Sequence, residues 1–192
     1  MAKWNKEGVP HKGWVCVGME DIIDEETPAD ERVYEACEMC SNPKIRYVHI
    51  MSHDEHISEL RVGCVCAGKM EDDYEQAQTR ENVLKRKSAN LKSALKRAKE
   101  ACKRDYEEER KHFMNRWSYS QNGNYSKNHN GEHVLVFQKN GKWKAKVGNT
   151  WGRKVFDSDY EVKSALLEHF YPQSMLEDRI EAKLKAVRVR YQ

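Results

Sequence analysis

The sequence predicts an α+β protein in which a small zinc-bound β-hairpin module, a long charged helix and a C-terminal three-stranded sheet with a packed helix follow one another. Three observations carry this. Two close cysteine pairs, Cys37/Cys40 and Cys64/Cys66, bracket a pair of strand-like runs. Residues 70–117 contain neither Gly nor Pro. Asn140-Gly141 sits between two alternating runs, a strong two-residue hairpin signal, and a helix start follows. Of the 192 residues 39% are hydrophobic and 34% are charged, so several small modules are expected instead of one large core. The expected segments are an N-terminal arm with acidic residues (1–32), the zinc hairpin (33–69), a basic helix (70–117), a polar linker (118–131), a βββα module (132–171) and a C-terminal amphipathic helix (172–192).

No apolar run approaches the ~20 residues that a membrane helix needs, and the first residues lack a secretory-type apolar stretch. A cytoplasmic protein without a membrane partner is expected. Charge is sorted along the chain. Segment 20–38 holds nine acids (Glu20, Asp21, Asp24, Glu25, Glu26, Asp30, Glu31, Glu35, Glu38) against Arg32 alone, while 80–104 holds ten bases against Glu81 and Glu100. The basic part suits a polyanion, and the acidic part suits a protein partner or an internal competitor.

In a reducing compartment, paired cysteines point to metal before disulfides. Zinc takes four soft ligands in a tetrahedron, and a hairpin over 45–51 and 60–64 would bring Cys37, Cys40, Cys64 and Cys66 to one end. With one residue between Cys64 and Cys66 where a common ribbon has two, His49 is the candidate substitute ligand; His53 and His56 fall in the far loop. Four thiolates leave no position for water, so the zinc is expected to be structural and a main source of folding energy. Cys16 and Cys102 are expected to be free thiols.

The cysteine pair followed by Arg46-Tyr47-Val48-His49 resembles the HNH nucleases, which implies a magnesium site around His49. The following Ala67-Gly68-Lys69-Met70-Glu71-Asp72-Asp73 offers acids but none of the Asn or His that such a site requires. Helix 70–117 places Met70, Tyr74, Ala77, Leu84, Leu91, Leu95, Ala98 and Cys102 near a 3.5-residue period interrupted by Glu81 and Ser88, and 70–102 is a candidate dimer seam. At 1.5 Å per residue the helix is on the order of 70 Å long, which suits a spacer. Lys85, Arg86, Lys92 and Lys96 are its candidate phosphate contacts.

The C-terminal module reads as strands over 133–139, 142–147 and 153–156, then a helix opened by the capping box Ser158/Glu161. Counting from the turn sets Lys139 opposite Lys142, Phe137 opposite Lys144 and Leu135 opposite Lys146, with Val134, Val136, Trp143, Ala145 and Val147 on the other face. Lysines among apolar groups suit a nucleic-acid surface. Gly141-Lys142-Trp143-Lys144-Ala145-Lys146-Val147, Lys154-Val155-Phe156-Asp157 and Tyr160-Glu161-Val162-Lys163-Ser164-Ala165 resemble the ethylene-response-factor type of DNA-binding domain and its relatives in phage integrases. That resemblance implies a sheet laid in the major groove and contact roles for Lys142, Lys144, Lys146 and Arg153, with Phe137 beside them. Lys12-Gly13-Trp14-Val15-Cys16-Val17, the Cys37 and Arg46 motifs and Val62-Gly63-Cys64-Val65-Cys66-Ala67-Gly68 resemble an uncharacterised, zinc-ribbon-like family of bacterial and phage proteins.

The function expected is therefore non-catalytic binding of nucleic acid, DNA ahead of RNA, by a zinc-containing protein of phage or mobile-element type. The alternatives are a protein-interaction adaptor or inhibitor whose acidic segment mimics nucleic acid, and an HNH-like nuclease.

Overall fold

The computed structural model describes residues 8–24 and 27–191. The chain divides into two compact units, one reaching to Ala94 and the other beginning at Leu95.

In the first unit β1 (Val15–Asp21), β2 (Tyr47–His53) and β3 (His56–Val62) form an antiparallel sheet in the order β1-β2-β3. Central β2 sets His49 opposite both Met19 and Val62. Trp14, Val48, Met51, Leu60, Val62, Ala67 and Met70 build the core around it. Part of the expected N-terminal arm is thus a strand. Its acids look solvated in the sequence, but Asp21 takes two hydrogen bonds from Arg46 at 2.7 and 2.8 Å and Glu20 takes one from Arg61 at 2.6 Å.

The hairpin strand ends earlier than its sequence suggests. Gly63 is the extended N-cap of a helix, α1 (Cys64–Glu71), so Cys64 belongs to a helix and not to a strand. Asp72 then adopts a left-handed backbone (φ 61°), and Asp73 donates its N–H to the Gly68 carbonyl at 3.0 Å. A Cβ on Gly68 would lie 2.8 Å from the Tyr74 Cα, so this close approach requires glycine. The long helix expected from residue 70 therefore starts anew as α2 (Tyr74–Asn115), with the Asp73 carboxylate accepting the Gln76 N–H at 2.9 Å. Ala77 enters the first core, and Tyr106 and Phe113 enter the core of the second unit. Both ends of α2 are packed, which a free spacer would not require, and the stripe residues Leu95 and Ala98 are already buried in the single chain.

The second unit holds a five-stranded antiparallel sheet, β4 (Ser118–Tyr119), β5 (Tyr125–His129), β6 (Glu132–Lys139), β7 (Lys142–Val147) and β8 (Thr150–Trp151), in sequential order. The β6–β7 register places Lys139, Phe137 and Leu135 opposite Lys142, Lys144 and Lys146, as counting from the turn predicts. Two expectations change. The polar stretch 118–131 is not a linker: it supplies β4 and β5, and Asn130-Gly131 makes the same left-handed pair (φ 50° and 80°) as Asn140-Gly141 (φ 55° and 74°). The expected strand over 153–156 shrinks to one bridge, Trp143 with Phe156, because β8 pairs first and the chain leaves the sheet edge after Gly152 donates to Ala145 O at 2.9 Å.

Helix α3 (Asp159–Phe170) opens with the expected capping box: Glu161 N–H donates to Ser158 Oγ at 3.2 Å, and Glu161 accepts the Asp157 N–H at 3.0 Å. Its Val162, Leu166 and Phe170 pack on Val134, Val136 and Ala145, leaving the other sheet face turned away from α3. Helix α4 (Gln173–Tyr191) completes the unit. No described helix is long and apolar enough to cross a membrane.

Candidate metal centre and nucleic-acid face

The turn Cys37-Glu38-Met39-Cys40 is closed by Cys37 N–H donating to Asn42 O and Ser41 N–H donating to Cys37 O, both at 2.8 Å, with Ser41 left-handed at φ 58°. It presents Cys37 and Cys40 to Cys66 in the first turn of α1. The three sulfurs lie within 4.8 Å of one another, with Cys37 and Cys66 2% and 5% exposed. All the described cysteines are free thiols. Electrostatics favour an anion here. A hydrogen bond from the Cys66 thiol pulls Cys37 well below the ordinary thiol range against its burial, and backbone N–H groups of Gly63, Cys40 and Met39 add to it. Cys66 is pushed up because it gives that hydrogen bond and is buried. The group is close enough to hold a metal ion.

The fourth expected thiol does not join it. On a helix, residues two apart point roughly 200° apart, whereas on a strand they share a side. Once Cys64 and Cys66 are helical they face different ways. Cys64 groups instead with His49 and Glu81, their ligand atoms within 4.8 Å of one another. His49 is therefore beside Cys64 and not a replacement for it in the three-thiol group. It is also fully buried. His53 and His56 stand at the far end of the hairpin, each 5.2 Å from the Trp14 ring. No motif in the sequence marks Glu81 as a ligand; its one sign there is the break it makes in the apolar stripe of α2.

Four acids of the acidic segment, Glu20, Asp21, Glu35 and Glu38, are engaged within their own unit. Arg61 donates to Glu35 at 2.6 Å as well as to Glu20, and its backbone N–H donates to Glu38 at 2.5 Å. Burial opposes it, yet hydrogen bonds from Arg46 and Ser88 hold the Asp21 carboxyl below its usual range. Glu25 and Glu26 lie outside the described residues. On the basic helix Lys85 pairs with Glu81 at 2.5 Å and stands over the Tyr47 ring, and Lys96 is 3.9 Å from Glu100. Arg86 and Lys92 are exposed.

On the sheet face away from α3, one rung runs Ser126, Leu135, Lys146, Trp151 and the next carries Phe137 and Lys144. Trp151 is 60% exposed, its ring 5.6 Å edge-on from Phe137 and 5.0 Å from Lys146 Nζ. Phe137, Lys144 and Lys146 thus meet on this face, as the sequence reading requires. Lys142 is tied to Asp157 by an ion pair. Arg153 lines a cleft with Ala145, Val162, Leu166 and His169, on the side of α3. Trp151, which no sequence motif marks, completes an aromatic pair with the Lys146 ammonium over its ring and Lys144 opposite Phe137 in register. Comparisons with protein-family models, curated proteins and solved structures yielded no match.

Proposed function

We propose that the protein is a non-catalytic, zinc-containing nucleic-acid-binding protein that offers the outer face of its five-stranded sheet to single-stranded DNA. The observation that carries this reading is the exposed Trp151 beside Phe137, with Lys146 on its rung and Lys144 on the next. Flat rings offer stacking to unpaired bases, and the ammonium groups meet phosphates. With Cys64 apart, three thiolates do not by themselves fill a tetrahedron, and the metal is assigned the supporting role because Cys37 and Cys66 are nearly enclosed. Three sulfur ligands select a soft or borderline ion such as zinc, and in this position zinc ties the Cys37–Cys40 turn to the first turn of α1.

Fluorescence anisotropy of the full chain with an oligo-dT strand over a range of salt tests the reading. Each neutralised phosphate on a single strand contributes roughly 0.7 to the slope of log K against log salt, so Lys144→Ala/Lys146→Ala should lower that slope by about 1.4. Trp151→Ala should weaken binding by about 1–3 kcal/mol per stacked base and leave the slope unchanged. A slope that falls with Lys92→Ala/Lys96→Ala and ignores the sheet lysines would overturn this reading in favour of the helix.

A further inference from the structure

We propose that His49, Cys64 and Glu81 form a second divalent-metal site, separate from the three-thiol centre and suited to zinc. Three elements of the first unit each supply one ligand: β2 gives His49, α1 gives Cys64 and α2 gives Glu81. The inference is independent of nucleic-acid binding.

Two observations point to an ion. His49 is the one buried polar residue in the described cores; it is fully enclosed, and neither ring nitrogen has a partner at hydrogen-bond distance, the Glu81 carboxylate standing 3.7 Å from Nε2. A buried polar group left without a partner costs on the order of 1–3 kcal/mol, and a cation bound at Nε2 removes that cost for one of the two nitrogens. The second observation is how Glu81 is held. Lys85 Nζ takes Oε1 at 2.5 Å, which leaves Oε2 facing His49 Nε2 at 3.7 Å. In a tetrahedral site with metal–ligand distances of about 2.0–2.3 Å, ligand atoms sit roughly 3.3–3.8 Å apart, so this pair already has the required spacing.

The chemistry of the donors selects the ion. One imidazole nitrogen, one sulfur and one carboxylate oxygen form a mixed set that suits zinc, whereas magnesium and calcium take oxygen ligands. Binding deprotonates Cys64, and coordination through Nε2 leaves the imidazole proton on Nδ1. Three protein ligands leave a fourth position for a small external ligand. Cys64 and Cys66, on different sides of α1, would then serve one centre each. The three-thiol centre fastens the Cys37–Cys40 turn to α1, and the second centre fastens α2 to the sheet.

Loading the metal-stripped full chain with cobalt(II) as a spectroscopic probe tests the site by ion count and by thiolate-to-cobalt absorption. The wild type should bind two ions per chain. Cys64→Ala and Glu81→Gln should each bind one and retain the strong absorption of the three-thiolate centre. Glu81→Gln preserves side-chain volume at this largely buried position (15% exposed), so circular dichroism matching the wild type is expected. A wild-type count of one overturns the proposal even if every variant misfolds. So does a second ion that persists in both Cys64→Ala and Glu81→Gln.

Discussion

Cys66→Ser is expected to strip the first unit of its amide-exchange protection in β2 and β3, the largest effect of any single substitution outside the second core. Cys66 is nearly enclosed and stands where the Cys37–Cys40 turn meets α1. In small metal-bound domains the ion contributes apparent free energies of about 10–16 kcal/mol, as much as the ~5–15 kcal/mol that holds a whole domain together. With zinc in the proposed centre, losing a thiolate therefore removes a large share of the stabilisation of this unit, the rest coming from the core around Trp14, Met51, Leu60 and Met70. Chelator added to the wild type should reproduce the loss, and hydrogen exchange read by mass spectrometry over 47–62 checks both. Unchanged protection in both experiments would mean that burial alone holds this unit.

The second large effect is expected at Phe113, the largest fully enclosed side chain. Its ring meets Trp117 at 5.6 Å, His129 at 5.0 Å, Phe170 at 5.5 Å and Tyr171 at 5.9 Å, and Lys127 Nζ lies 4.4 Å from its centre. Phe113 thus joins α2, the strand β5 and the end of α3 in one aromatic cluster. Phe113→Ala leaves a cavity among rings that cannot collapse into it, at a cost of about 3–5 kcal/mol. Urea unfolding should show that loss, and Phe113→Leu should show a smaller one. A loss below about 1 kcal/mol would mean that the cluster is not what orders β5.

The same cluster explains part of what the sequence conceals. Lys127 and His129, on the same face of β5 as Tyr125, give it no apolar alternation, so 118–131 reads as a linker. What orders it is tertiary: Lys127 donates to Phe113 O at 2.6 Å and stands over the Phe113 and Trp117 rings, while Lys163 stands 3.2 Å from the Tyr125 ring. One local signal was nonetheless present, since Asn130-Gly131 is the same turn dipeptide as Asn140-Gly141. The features legible in the sequence are short-range ones. The β6–β7 register follows from one turn, the start of α3 from Ser158 and Glu161, and the pairing of Cys37 with Cys40 from their spacing.

The illegible features depend on distant partners. β1 becomes a strand because Arg46 and Arg61, far along the chain, neutralise its acids. The fate of Cys64 turned on whether 64–71 continues a strand or starts a helix. Ala67 and Met70, buried at helical spacing, favour the helix. That single choice separates the four cysteines into a group of three and a lone thiol. Glu81 and Trp151 gain their meaning only from what stands opposite them.

The most direct test of the nucleic-acid face is a titration of the isotope-labelled full chain with oligo-dT, followed in proton–nitrogen correlation spectra. The indole N–H of Trp151 and the amides of Phe137, Lys144 and Lys146 should shift together, while the indole N–H of Trp143, on the opposite sheet face, stays in place. Shifts confined to Arg86, Lys92 and Lys96, or a spectrum that does not change, would contradict the account.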